Sequence, residues 1–360
     1  MHILVDVNHP AHVHYFRHFI KMMKEMDHEF IVTARDKEVT HILLEKFNIN
    51  YVSRGKGGKG FLGKLLYLLK GDYIVYKTAL KFKPHLFLSF ASPYAAHIAW
   101  LMGKPHIAFD DTEIARLGQF LYIPFTDCVL NPSSYKKTLK GKQIVFKSYI
   151  ELCSLHPNYF KPDKSVLKEL GIQENEKYVI VRFVSWQANH DLGYKGLNQE
   201  TRLNIINQFK KHATVFISSE GRLPPELQKY QLKISPEKMH DALYFASLLF
   251  GESGTMTSEC AMLGTPAIQI SGLPKGTIGT LNEQQNYDLV YVYEKYNDSI
   301  MNQALNLIND PETKNRWLIK RNIMLSEKID VTAFMVWFIK NFPQSKKIMK
   351  ENQDFQLKFK

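Results

Sequence analysis

The sequence predicts an α/β protein built from two doubly wound domains, and three observations carry that prediction. Short apolar runs alternate with helix-length amphipathic segments along almost the whole chain, the pattern of parallel sheets covered on both faces. The series restarts after the polar, proline-marked stretch 156–163, which puts a domain boundary near residue 160. A length of 360 residues is enough for about two domains, each with its own core.

Residues 2–7 (HILVDV) read as the first strand and 11–26 as the helix after it. A strand at 29–33, a helix over 36–47 and a short strand at 51–52 continue the series, and strands at 86–90 and 106–109 extend it. The second series has a strand at 178–183, a helix over 200–211 and a strand at 214–218. A helix at 238–246, a strand at 248–250, a helix at 256–263 and strands at 267–270 and 289–292 follow, then mainly helical sequence to about 342. The expected domains are 1–160 and 161–328, with a helix over 329–345 crossing back to the first. The basic end, 346–360, reads as a loosely held tail.

Composition narrows the function. Forty-seven Lys and Arg against 35 Asp and Glu give +12 at pH 7, which calls for an anionic partner: nucleic acid, a phosphorylated substrate or an acidic membrane. Hydrophobic residues at 45% and charged residues at 23% exclude a disordered chain. Cys128, Cys153 and Cys260 are an odd set without metal-ligand spacing, which argues for a reducing, cytoplasmic compartment and against a zinc site. MHILVDV lacks the basic and long apolar regions of a signal peptide, and the apolar run 86–102 is short for a bilayer span. The chain reads as soluble, or attached to a membrane only at its surface. Nucleic acid is disfavoured, because no recognised module appears and aromatics do not interleave with a basic groove.

In open α/β sheets, ligands bind beyond the carboxyl ends of the strands, so two such domains are expected to face a central cleft. Segment 249–270, LFGESGTMTSECAMLGTPAIQI, has the most chemical content. A strand runs into Gly251-Glu252-Ser253-Gly254-Thr255 and a helix follows, so glycines admit a ligand to a helix N-terminus that suits a diphosphate. Glu259 lies one turn inside, placed to accept from vicinal hydroxyls such as a ribose. The plain alternative is an ordinary N-capped helix.

This segment resembles the donor-binding signature of GT-B glycosyltransferases, above all the N-acetylglucosaminyltransferase that completes the lipid-linked peptidoglycan precursor. The shared order is Met239, the strand 248–250, Ser253-Gly254, Glu259 and Gly264-Thr265-Pro266. A similar turn occurs in non-hydrolysing UDP-N-acetylglucosamine 2-epimerases. Over about residues 1–290 the chain is similar to the bacterial and archaeal family called domain of unknown function 354, in VNHPAHVHYFRHF, VTARDKE, FKPDKSVLKELGI and GTMTSECAMLGTPAI. The resemblance implies a GT-B fold and a nucleotide-sugar site, with no bound metal or cofactor. Ser253, Gly254, Thr255 and Met256 would hold the diphosphate and Glu259 the ribose, while Gln285 and Asn286 loosely echo a Gln/Asn pair that touches the donor sugar.

Other candidates follow the remaining strands. Asp6-Val7-Asn8-His9-Pro10-Ala11-His12 lies where a GT-B enzyme places its acceptor, and His9, then His12, suit a base that takes the acceptor proton. Capping and packing around Pro10 is the competing role. Asp110, Asp111 and Glu113 place three carboxylates at one edge, as base, epimerase acid/base or a negative helix cap. Ser89, Ser92 and Pro93 form either an acceptor turn or a capped helix. Arg182 can neutralise phosphate, Ser185 and Trp186 follow it, and Ser218-Ser219-Glu220-Gly221 is a further polar rim; His240 is a weaker candidate near the base pocket.

Residues 54–83 carry eight Lys or Arg and one Asp, a net of +7. On a helical wheel Leu62, Leu65, Leu66, Leu69, Tyr73, Tyr76 and Leu80 form one stripe, with Lys70, Lys77 and Lys81 within about 40° along its edge. Such a helix suits an anionic membrane surface, or else packs its stripe into the core. The reading that joins these features is a GT-B glycosyltransferase. It would pass a sugar from a nucleotide diphosphate, UDP favoured, to a glycan or lipid-linked acceptor in surface polysaccharide synthesis. A nucleotide-sugar 2-epimerase and a non-catalytic nucleotide-sugar-binding protein are the alternatives.

Overall fold

Strand β1 (His2–Val7) buries every residue after the first, as a run without alternation requires when both faces of a sheet are covered. In the computed structural model, which describes residues 1–183, 197–219, 221, 223–274 and 276–360, the chain divides into two units. Unit 1 holds Met1–Tyr159 and Glu327–Lys360; unit 2 holds Phe160–Ser326.

In unit 1, β1 is followed by α1 (Pro10–Lys24), β2 (Glu29–Ala34), α2 (Thr40–Lys46), β3 (Tyr51–Ser53), α3 (Gly60–Phe82) and β4 (Leu86–Phe90). Then come α4 (Pro93–Leu101), β5 (His106–Phe109), α5 (Arg116–Tyr122), β6 (Cys128–Pro132), β7 (Gln143–Phe146) and α6 (Leu152–Leu155). The seven strands are parallel in the order β3-β2-β1-β4-β5-β6-β7. Helix α2 starts later than its sequence pattern because Glu38 adopts a left-handed φ of 49°, which a helix cannot continue through. Strands β6 and β7 escape the pattern: one ends in Asn-Pro, and the other is only four residues long.

Helix α3 decides between the two roles open to its stripe. Its packed face is Tyr67, Gly71, Val75, Thr78 and Ala79. Gly71 sits so tightly on α4 that a Cβ there would lie 2.5 Å from ring carbons of Tyr94. Leu62, Leu65, Leu66, Leu69, Tyr73 and Leu80 point the other way and are between 45% and 67% exposed, so these six are not core; of the stripe, Tyr76 instead packs half-buried against the core.

Unit 2 contains α7 (Ser165–Leu170), β8 (Tyr178–Phe183), α8 (Gln199–Phe209), β9 (Thr214–Ser219), α9 (Met239–Phe245) and β10 (Leu248–Gly251). It continues with α10 (Gly254–Leu263), β11 (Ala267–Ile270), α11 (Gly279–Asn286), β12 (Val290–Tyr293), α12 (Asp298–Asn309) and α13 (Thr313–Ser326). Its parallel sheet runs β12-β11-β10-β8-β9. Val179, Val181, Phe183, Leu248, Phe250 and Ile268 from three of its strands share one core with Phe209 and Ile217.

The last segment packs on unit 1 as α14 (Val331–Lys340) and α15 (Gln344–Glu351). The expected loose tail is corrected here. Phe355 stacks on Trp337 at 4.6 Å, and the fully buried Gln356 accepts from the Lys147 N–H at 2.6 Å and donates to the Val145 carbonyl. Aromatic and amide residues among the lysines hold what charge alone would leave in solvent.

Candidate functional site

The order of the five-stranded sheet reverses between β8 and β10, so the loops after these two strands form the expected binding edge of unit 2. Gly251 ends β10 with φ at 151°, and a Cβ there would stand 2.0 Å from the Arg182 carbonyl oxygen; only glycine fits. Ser253 caps α10, its Oγ accepting from the Met256 N–H at 3.3 Å and its carbonyl from the Thr257 N–H at 3.1 Å. The N–H groups of Gly254 and Thr255 have no partner among the described residues, at the positive end of the helix dipole.

The sequence-predicted residues of unit 2 fall into three groups. Ser253, Gly254, Thr255 and Met256 form the cap and first turn of α10. Arg182 and Ser218 meet at the ends of β8 and β9, where Nη1 donates to Oγ at 3.0 Å. Glu259 and Gln285 are engaged within the protein. The buried Glu259 carboxylate lies 3.3 Å from His240 Nε2, and the Gln285 oxygen accepts from the Val292 N–H, leaving only its amide N–H groups for a ligand. Ser185 and Trp186, and Glu220 of the polar rim, lie outside the described residues. Sequence reasoning missed Gln269, buried on β11 with Oε1 unpartnered and Nε2 placed 3.4 Å from the position a Gly254 Cβ would take. Its signal was a lone polar residue inside an apolar strand.

In unit 1 the order reverses between β1 and β4. At that edge lies a cavity of about 300 Å³ lined by residues that include Asn8, His12, Arg35, Tyr94, Asp110 and Gln119. Beneath it, Asp6 is buried and accepts from Arg54, Thr33 and Ser92. The two candidate bases are both bound through Nδ1. His9 is the N-cap of α1, its Nδ1 accepting from the Ala11 N–H at 3.2 Å, and His12 Nδ1 accepts from the Asn8 N–H at 3.3 Å. An accepting Nδ1 puts the proton on Nε2, so each ring is set as a donor. Burial, then His9 and Lys37, hold His12 well below the usual histidine value, which keeps it neutral.

The carboxylates divide likewise. Asp110 is buried and accepts from Tyr122, Thr112 and Gln119, a fully bonded structural group; burial pushes its pKa up while those bonds pull down. Asp111 is half-buried and, among the described residues, accepts only from Thr112 Oγ1, at 2.9 Å. Burial and the neighbouring Glu151, Asp110 and Glu113 carboxylates hold it well above the usual carboxylate range. Ser89 bonds His106, and Ser92 bonds Asp6, so neither hydroxyl is left for a ligand.

A family model described as a protein of unknown function (DUF354) matches residues 1–336. An uncharacterized protein of Methanocaldococcus jannaschii is 24% identical over 277 residues, covering 74% of this chain and 80% of its own. The UDP-GlcNAc 2-epimerase of Neisseria meningitidis, solved with UDP-GlcNAc bound, superposes with a TM-score of 0.65 at 15% identity, over 88% of this chain and 94% of its own. The glycosyltransferase VinC, solved in complex with dTDP, gives 0.59 at 11% identity over 94% and 99%. The fold is GT-B, two parallel sheets with flanking helices, as in these nucleotide-sugar enzymes.

Proposed function

The chain belongs to the DUF354 family, and from that premise we propose that it is a metal-independent glycosyltransferase using a nucleotide diphosphate sugar, with a UDP-sugar favoured. The single observation that carries this reading is the first turn of α10. Its Gly254 and Thr255 N–H groups have no partner among the described residues, beside Gly251, which the close Arg182 backbone requires, at the point where the strand order reverses. Fold neighbours solved with UDP-GlcNAc and dTDP support the same ligand class.

In this reading unit 2 holds the donor. The α10 N-terminus and Arg182, oriented by Ser218, carry the charge that develops on the departing diphosphate, the role a metal serves elsewhere. Ser253 and Met256 frame that turn, Glu259 and His240 reach the ribose side, and Gln269 and the Gln285 amide reach the sugar. The acceptor hydroxyl oxygen bonds the anomeric carbon as the bond from that carbon to the diphosphate oxygen breaks. Asp111, a carboxyl held well above the usual range by burial and neighbouring carboxylates, takes the hydroxyl proton, and His9 and His12 donate from Nε2. The acceptor is a glycan or lipid-linked molecule of a surface polysaccharide. The exposed stripe of α3 lies on an anionic membrane at its cytoplasmic side, with Lys70, Lys77 and Lys81 at the headgroups. Among the described residues no helix is long and apolar enough to cross a membrane.

One observation favours a second reading. The Asp111 carboxyl, held well above the usual range by burial and by the Glu151, Asp110 and Glu113 carboxylates clustered around it, suits the acid/base work of a nucleotide-sugar 2-epimerase. Incubation of the full chain with UDP-, GDP- and dTDP-sugars in heavy water separates the two. Solvent deuterium in the sugar without acceptor marks epimerisation. Acceptor-dependent release of nucleotide diphosphate marks transfer. Nucleotide binding with neither leaves a binding protein.

A further inference from the structure

The cavity of unit 1 has a chemical character that the donor reading does not use. Its carboxylate and side-chain amide oxygens are engaged inside the protein. Asp110 receives three donors, the Gln119 oxygen accepts from Lys137 Nζ at 2.9 Å, and the Asn8 oxygen accepts from Arg54. The groups left without a partner are donors. The Arg35 guanidinium has no hydrogen-bond or ion-pair partner among the described residues, and its Nε is buried. It is pinned against Gly57, where a Cβ would stand 2.1 Å from Nη2, and it faces the Tyr67 ring at 5.8 Å. His12 presents Nε2–H, because Nδ1 is bonded to Asn8. Ser92, the N-cap of α4, gives its hydroxyl to Asp6 at 2.6 Å and makes no side-chain bond to the helix, so the Tyr94 and Ala95 N–H groups lack a cap.

A pocket that keeps donors and one cation unpaired among the described residues, while its carboxylate and amide oxygens are tied up, is complementary to negative charge. A buried guanidinium nitrogen without a partner is otherwise costly, and a ligand oxygen removes that cost. We propose that this cavity is an anion-binding site: Arg35, with His12 Nε2–H and the α4 N-terminus, binds a phosphate or carboxylate group carried by a small ligand. The volume of about 300 Å³ is at the lower end of ligand pockets, so it takes one such group with little beyond a single ring attached. The inference does not depend on the donor site of unit 2.

The test is calorimetric titration of the full chain with inorganic phosphate, with glucuronate and with glucose, in a Gly254→Asp background that closes the anion site of α10. Phosphate or glucuronate binds with one-to-one stoichiometry and glucose does not. Arg35→Gln weakens the anion by about tenfold or more, and Arg35→Lys restores part of it. The His12 ring resonance moves on phosphate addition, and Arg35→Gln abolishes that movement. The melting temperature without ligand stays almost unchanged in both variants, since the Arg35 guanidinium has no hydrogen-bond or ion-pair partner among the described residues. Equal binding by Arg35→Gln, equal binding of glucose, or no anion binding at all overturns the proposal.

Discussion

Arg54 Nε lies 3.0 Å from Asp6 Oδ1, and neither side chain is exposed to solvent. The guanidinium also sits 4.1 Å over the Tyr94 ring and donates to the Tyr67 hydroxyl, while Asp6 receives Thr33 and Ser92. One ion pair thus ties β1 to the end of β3, to α3 and to the start of α4. Arg54→Leu leaves a buried carboxylate without its cation, and the expected loss is about 3–5 kcal/mol in urea unfolding. The double variant with Asp6→Leu loses less than the sum of the single variants, because no charge is left stranded.

His97 bonds Asp72 through Nδ1 and the Leu121 carbonyl through Nε2, both at 2.9 Å, and so clasps α3, α4 and α5. Burial lowers its pKa, but the Asp72 bond and charge together with the Leu121 carbonyl outweigh it, and the net shift is upward. A raised folded-state value stabilises fully below the unfolded value, about 6.5, and that stabilisation is lost as pH rises through the folded value. Unfolding free energy of the native chain therefore falls from neutral into mildly alkaline pH more steeply than that of His97→Gln. Parallel pH profiles would contradict this.

The exposed face of α3 predicts membrane binding. Changing Lys70, Lys77 and Lys81 to Gln weakens binding to anionic vesicles by about 1 kcal/mol per residue, and changing Leu66 and Leu69 to Ser weakens it further. Both sets leave the melting temperature almost unchanged, since these side chains are exposed. Sedimentation with phosphatidylglycerol vesicles is the measurement, and unchanged binding by both sets contradicts the assignment.

Most strands of both sheets were legible because two-sided burial leaves unbroken apolar runs such as HILVDV and YVIVRF. The turn at 251–254 was legible for a different reason: Ser-Gly after a strand and Gly-x-Pro after a helix are backbone requirements written in residue type. What escaped depends on neighbours distant in sequence. Whether the α3 leucines face core or solvent is settled by how closely Gly71 meets Tyr94. The tautomers of His9 and His12 follow from backbone N–H groups, and the isolation of Arg35 goes with the engagement of the Asn8, Asp110 and Gln119 oxygens by other donors. The packed tail depends on Trp337 and Lys147, which no local pattern links to Phe355 and Gln356.

If the α10 N-terminus holds a nucleotide diphosphate, Gly254→Asp displaces it. An aspartate at the first helical position complements the helix dipole, so the fold is retained or slightly stabilised, while its charge fills the anion site. Calorimetry of UDP, GDP and dTDP against both proteins is the measurement. The native chain binds at least one nucleotide, and Gly254→Asp loses it with no fall in melting temperature. Equal affinity in the two proteins, or no nucleotide bound by the native chain, would contradict binding at this helix terminus.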